Sequence, residues 1–417
     1  MKIREQELTT PVIHVADMPT LEQSNNLSKT IRVQSIDLLR GLVMIIMALD
    51  HVRDYFHYDA FLYSPTDLSQ TSAPLFFTRF ITHYCAPVFV FLAGASAYLS
   101  GTKKSKKDLS SFLFTRGLWL VFAELFILSL FKTFNPSYTY LNLQVIWAIG
   151  LSMIVLSGLI YIKTSYILLL GLALVLGHNL LDNVHVSGNG FGSFLWAVLH
   201  EQRSFKIGHI SIFVNYPVMP WIGVMALGYC CGHLYANDFD EKRRRESLLF
   251  IGLGAIALFI ALRLNNFYGD AANWSNQKNM LYSFLSFINV TKYPPSLLYS
   301  LITLGPALIF LSVSERPIKS LGKKIIVFGN VPMFYYMAHL LFIHILASMA
   351  ALMTGYPEML ILKTSVLNTT ALKGYGFNLT EVYFIWIGLV FILYPFCKWF
   401  YKYKRSYQPV YRWLRYF

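Results

Sequence analysis

Asp37, Arg40, His51 and Asp54 place four ionisable side chains inside an otherwise apolar run from Ile36 to Phe56. Arg40 and His51 are eleven residues apart, close to three helical turns, so they face nearly the same way. Asp37 and Asp54, each three residues outside that pair, extend the stripe. Burying such groups in a bilayer helix costs several kcal/mol unless they face a protein-lined or watery cavity, so the stripe marks a pathway or a reaction site. A guanidinium that cannot lose its charge suits phosphate recognition. An imidazole can accept and return a proton near neutral pH. With the chain entering from the cytoplasm, Arg40 is expected roughly 9 Å below the inner boundary and His51 about 16 Å further out. Asp54, one turn beyond His51, is expected to orient the ring and stabilise the imidazolium. The alternative is an internal network, Asp37 with Arg40 and Asp54 with His51 or Arg53, that locks helices together.

Other polar groups could converge on this stripe. Arg79, His83 and Pro87 share a face at four-residue spacing; His83 is either an acceptor-side group or a packed histidine. Lys292, before Pro294 and Pro295, makes a rigid cationic corner, or the prolines simply start a helix. Trp221 follows Pro217 and Pro220 at another helix start. Arg79, His83, Lys292 and Trp221 are the candidates for substrate binding. Asn330, Tyr335 and His339 lie on a later helix, the last two one turn apart, and with Arg40 are the candidates for the donor side. Glu124 is a lone intramembrane acid needing a partner, either Arg116 or the stripe itself. His178, Asn179 and Asp182 end a helix and are read as its cap.

The elements that must hold these residues are membrane helices. Hydrophobic residues make up 55% of the 417 and charged residues 13%, about half the charge of a soluble domain. Mean hydropathy is +0.49. The expected fold is an all-α polytopic transmembrane bundle of about ten helices: 35–56, 75–100, 110–132, 140–162, 165–184, 211–236, 246–264, 294–314, 327–352 and 381–403. Residues 1–33 form a polar cytoplasmic tail without the apolar stretch of a cleavable signal. The membrane domain spans 34–403, and 404–417 is a basic, aromatic cytoplasmic tail. The net charge of +14 is concentrated at Lys103–Lys107, Lys242–Arg245, Arg316–Lys324 and Lys398–Arg415. All four clusters fall inside if both termini are cytoplasmic, which is a positive-inside pattern and not a nucleic-acid footprint. Three long outward connections, 185–210, 265–293 and 353–380, carry aromatic and amide residues suited either to sugars or to interfacial anchoring. Cys85, Cys230, Cys231 and Cys397 lie in apolar runs and imply no disulfide framework. No P-loop, HExxH, GxSxG or CxxC pattern occurs, so no metal is expected; the glycine-rich SGNGFG at 187–192 lacks a flanking strand and helix.

RVQSIDLLRGLVMIIMALDHVRDYFH, followed by APVFVFLAGASAYL, resembles the catalytic signature of the heparan-alpha-glucosaminide N-acetyltransferase-like membrane proteins, bacterial branch. NLQVIWAIGLSMIVL, YPVMPWIGVMALGY, KYPPSLLYSLITLGPAL and FGNVPMFYYMAHLLFIHIL resemble later blocks, from about residue 32 to 400. Arg40, ten intervening residues and His51 are also similar to the arginine–histidine motif of the acyltransferase-3 family. The resemblance implies acetyl-CoA as donor from the cytosol, an outward-facing glycan or amino-sugar acceptor, a bacterial inner-membrane location, membrane lipid as surroundings and a homodimer. It makes His51 the catalytic histidine and Arg40 a residue holding the acyl donor. In the family's lysosomal member an asparagine matches His51 and the histidine comes later; His57 is the nearest match here and ranks second. The rival reading is a transporter or flippase of a sugar-linked solute, which should show related halves; none is visible.

Overall fold

The computed structural model describes residues 34–236, 238–315, 318–408 and 410–417; the expected tail 1–33 and Arg316 lie outside them. The chain begins with α1 (Gln34–Phe56), α2 (Ala73–Thr82), α3 (Cys85–Gly101) and α4 (Lys106–Thr133). Strand β1 (Tyr140–Leu143) leads into α5 (Val145–Leu159), followed by α6 (Thr164–Leu181) and α7 (Phe191–Leu199). A hairpin of β2 (Arg203–Ile207) and β3 (Ile210–Val214) precedes α8 (Met219–Cys231) and α9 (Glu241–Asn265). Then come α10 (Met280–Ile288), α11 (Leu297–Val313), α12 (Ser320–Asn330), α13 (Pro332–Thr354) and α14 (Leu379–Tyr407). The architecture is an all-α multi-pass membrane bundle bearing one small sheet. Six stretches are long and apolar enough to cross a bilayer among the described residues: 73–101, α4, α6, α9, α13 and α14.

Four expected runs are divided, each for a local reason. Between α2 and α3 the chain breaks because Pro87 has no N–H for the His83 carbonyl; the Tyr299 hydroxyl donates to that carbonyl instead, at 2.7 Å. Pro332 likewise separates α12 from α13. Residues 140–143 and 211–214, expected as helix, lie in strands. They form a sheet of order β1-β3-β2, with β1 parallel and β2 antiparallel to β3. Gly208, at φ 60°, takes the left-handed position in the tight β2–β3 turn. The hydrophobic strands had merged into the neighbouring helical runs because both read as continuous apolar sequence. Two long connections also contain helices, α7 and α10. The last helix runs past 403 to Tyr407, and the tail after it folds back, with Leu414 buried and Phe417 against Trp119 and Phe400.

Helix α1 is the hub, packed by α3, α12, α13 and α14. Its close approach to α12 depends on two glycines. A Cβ on Gly41 would lie 2.2 Å from the Ile325 carbonyl oxygen, and one on Gly329 2.1 Å from that of Asp37. Small residues of this kind let membrane helices gain dispersion energy where lipid offers no hydrophobic drive. The Trp386 indole donates to the Ile45 carbonyl at 2.8 Å and fastens α14 to the same helix. At the periphery α9 and α14 present Phe250, Phe384 and Phe391 outward, as lipid-facing helices do.

Candidate functional site

The second half of α1 opens onto a cavity of about 590 Å³. Asp50, His51, Arg53 and Asp54 reach it from α1, Arg79 and Thr82 from α2, Lys132 from α4, Lys292 and Tyr293 from the loop before α11, and Tyr336 from α13. Among the described residues, four lining cations therefore face two lining carboxylates. Asp50 is the electrostatic centre: it accepts from Arg79 at 2.5 Å and Thr82 at 2.8 Å and pairs with Arg53 at 2.9 Å. Arg53 also holds Asp54 at 2.5 Å. The His51 ring makes no hydrogen bond with any described residue. It packs 5.2 Å from the His339 ring and edge-on to Tyr336 at 6.1 Å.

A second polar cluster forms the opposite wall. Glu124 sits in a π-helical turn, Ala123–Leu128, a form that recurs at functional sites. Its carboxylate accepts from the backbone N–H groups of Ile146 and Trp147, capping α5 and so fixing where β1 must end. The partner it needs is Lys132, at 2.7 Å, and not Arg116; Gln144 takes a second Lys132 hydrogen at 2.5 Å. The Lys132 carbonyl in turn accepts from Tyr55 at 2.6 Å, joining this wall to α1. Tyr140, Asn142 and Phe213 bring the sheet to the same cavity.

Lys292 is positioned by its loop. Asp270 accepts from the Thr291 N–H at 2.8 Å and from the Thr291 and Ser296 hydroxyls at 2.7 Å each, tying down both ends of the corner. The Lys292 ammonium lies 5.1 Å from the Tyr293 ring and forms no ion pair with a described residue. Burial raises the Tyr293 phenol and the neighbouring Lys292 and Arg79 outweigh it, leaving the group below its ordinary value.

The expected residues thus divide. His51, Asp54, Arg79 and Lys292 share the cavity. Asp54, however, is engaged by Arg53 and does not orient His51; the carboxylate nearest in sequence, Asp50, lies on the cavity too. Trp221, fully buried, stacks behind Tyr216 at 5.5 Å and supports a lining residue without lining the cavity itself. His83 is buried edge-on to Tyr299 at 5.6 Å, outside the cavity wall. His57 is also outside it. The His57 Nδ1 accepts the Asp59 N–H at 3.2 Å, capping the turn Tyr58–Phe61. Burial lowers its pKa, partly offset by Asp59. Tyr335 and His339 stack on each other at 5.2 Å behind the wall, and Tyr336 takes the lining position. Asn330 lies at the far end of α12, its carbonyl accepting from Lys404.

Arg40 and His51 were expected to line one passage. Arg40 instead pairs with Asp37 at 3.0 Å and donates to Ser96 at 2.7 Å, and it is not part of the cavity wall. Met44 and Met47, buried on the α1 face between the two, separate the levels; Met47 belongs to the wall. Near Arg40 is a basic patch: Lys104, Arg415 and Arg116 approach the Phe112 ring at 4.0, 5.5 and 5.9 Å, and Arg116 feels the charge of Arg40.

No metal was expected, yet His178, Asp182 and His200 bring three donor atoms within 4.8 Å of one another. Spacing motifs do not find such a set because His200 comes from a different helix.

A multi-helix membrane protein with a charged cavity built around an intramembrane histidine is, as a class, suited to chemistry on polar substrates inside the bilayer. A family model described as "Heparan-alpha-glucosaminide N-acetyltransferase, catalytic" matches residues 32–262, over half of the chain. The chain belongs to that family and is an acetyltransferase-like membrane enzyme. The matched region holds the α1, α2 and α4 walls of the cavity; Lys292, Tyr293 and Tyr336 come from beyond it. No curated protein matches the chain.

Proposed function

We propose that the protein moves an acetyl group from acyl-CoA, bound from the cytoplasmic side, to an amine or hydroxyl of an outward-facing sugar, with His51 as the base. The observation that carries this reading is a histidine without a hydrogen-bond partner among the described residues, open to a polar cavity, in a chain of a catalytic acetyltransferase family. Thioester aminolysis needs positioning, a base and stabilisation of the oxyanion. The acceptor nitrogen attacks the thioester carbonyl while His51 takes its proton. The C–S bond then breaks, and the proton passes from the imidazolium to the departing thiolate. Asp50 offsets the imidazolium charge. Lys292, which forms no ion pair with a described residue, is the cation available to the oxyanion, while Lys132, held by Glu124, and Arg79, held by Asp50, shape the wall.

The basic patch of Arg40, Lys104, Arg116 and Arg415 suits the phosphates of the donor. The pantetheine arm must then pass Met44 and Met47, flexible side chains that yield more readily than branched ones. The proposed setting is a bacterial inner membrane with both chain ends cytoplasmic, which puts the basic clusters inside. The test is transfer of label from acetyl-CoA, supplied to one face of proteoliposomes, to a glucosaminide supplied to the other. Labelled N-acetyl product that forms only with acceptor present supports the reading. Failure to bind acyl-CoA, with dissipation of a sugar gradient instead, overturns it in favour of transport.

A further inference from the structure

A second polar cluster lies away from the cavity, where α6, α7 and the start of α11 meet. His178 opens the 3-10 turn His178–Leu181 that ends α6, and Asp182 follows four residues later. His200 caps the C-terminus of α7. The two imidazoles lie 5.5 Å apart and are nearly sealed, at 2% and 4% exposure. None of the four ring nitrogens makes a fully aligned hydrogen bond among the described residues, although the Pro295 backbone approaches one nitrogen of His178 and Asp182 approaches one of His200. His200 Nε2 comes within 3.2 Å of Asp182 Oδ1, but without hydrogen-bond alignment. Leaving a buried polar group unsatisfied costs about 1–3 kcal/mol, and each ring keeps at least one nitrogen in that position.

We infer that His178, Asp182 and His200 form a zinc site. Two imidazoles and one carboxylate with mutually close donor atoms make a nitrogen-rich three-ligand set that suits zinc and not magnesium or calcium, which favour oxygen. Asp182, 20% exposed at its side chain, leaves a direction open for water as the fourth ligand. The surroundings supply outer contacts for the carboxylate, and the Pro295 backbone is near enough to His178 to orient that ring. Asn179 donates to Asp182 Oδ2 at 2.9 Å, and its own oxygen accepts the Leu297 N–H at 2.9 Å. The ion therefore ties the ends of α6 and α7 to the first residue of α11. That residue closes the corner that carries Lys292 and Tyr293 into the cavity. The site is a clamp on the cavity wall, and its existence does not depend on what reaction the cavity performs.

The test uses full-length protein in detergent, without a polyhistidine tag, stripped with a chelator and then dialysed against zinc or magnesium ions. Metal content by mass spectrometry and thermal stability are measured in parallel. The expected result is about one zinc per chain, a higher melting temperature with zinc than with magnesium, and loss of both in His178→Ala and His200→Ala. Asp182→Asn keeps the shape of the Asn179 contact and so guards against misfolding; losing a direct ligand, it should bind zinc at least as much weaker as loss of an outer contact makes it, about 10- to 100-fold. Wild-type protein that retains no zinc overturns the proposal. So does zinc retained unchanged in both His200→Ala and Asp182→Asn.

Discussion

Neutralising Asp50 should destabilise the protein more than removing the arginine it holds. Asp50 accepts from Arg79 and Thr82 at 2.5 and 2.8 Å and pairs with Arg53 at 2.9 Å. In Asp50→Asn, Arg79 loses its sole carboxylate partner among the described residues, while Arg53 keeps Asp54. Breaking a buried pair in this way costs about 3–5 kcal/mol. Both side chains are 14% exposed beside a cavity large enough for water, so the lower figure applies: about 3 kcal/mol, somewhat over a hundredfold in the folding equilibrium. Arg79→Met leaves Asp50 with Arg53 and Thr82 and should cost about 1–2 kcal/mol. In the Arg79→Met background, Asp50→Asn should then cost only about 1 kcal/mol, a coupling of about 2 kcal/mol. The assay is unfolding in mixed detergent micelles followed by tryptophan fluorescence. Single and double variants that add to within about 0.5 kcal/mol would refute the reasoning, because independent sites behave that way.

Arg263 is 1% exposed and donates to the carbonyls of Phe287, Ala272, Ser286 and Asn289 at 2.6–3.0 Å, so it organises the connection that carries α10. Arg263→Met should take a donor from all four, leaving Ser286 only the Asn289 N–H, cost about 3 kcal/mol, and speed proteolysis of residues 265–293; an unchanged cleavage rate would contradict this. For His57, whose pKa is lowered by burial, the unfolded chain binds the proton more readily than the fold. The stability it contributes is complete above the unfolded value near 6.5 and is lost as the pH falls from there through the lowered folded value. Protonation also turns the Nδ1 acceptor of the Asp59 N–H into a donor. Hydrogen exchange at Tyr58–Leu62 should accelerate over that interval in wild type and show no such step in His57→Gln; identical profiles would count against the cap.

The helical architecture was legible because membrane runs are long and apolar, and the stripe on α1 because charge is conspicuous within them. Asp50 was overlooked for a geometric reason. The face traced from Arg40 to His51 excludes its neighbour, yet Asp50 reaches the cavity through contacts with α2, which sequence spacing on one helix does not encode. Tyr335 and Tyr336 are alike in composition, and only the packing of α13 against α1 selects the second. The strands hid in continuous hydrophobic sequence, where period two and period 3.6 are indistinguishable. Lys132, the last residue of the expected run 110–132, is drawn inside by Glu124, an acid whose need for a partner was evident although the partner was not. The His178, Asp182 and His200 cluster required the tertiary meeting of α6 and α7.

Single-turnover acetyl transfer by His51→Ala, compared with wild type and His57→Ala at equal acyl-CoA occupancy, tests the central claim most directly. Loss of a general base should slow transfer by about 10²- to 10⁴-fold in His51→Ala, with donor binding retained and His57→Ala near wild type. Undiminished transfer by His51→Ala, or its loss in His57→Ala alone, would contradict the account.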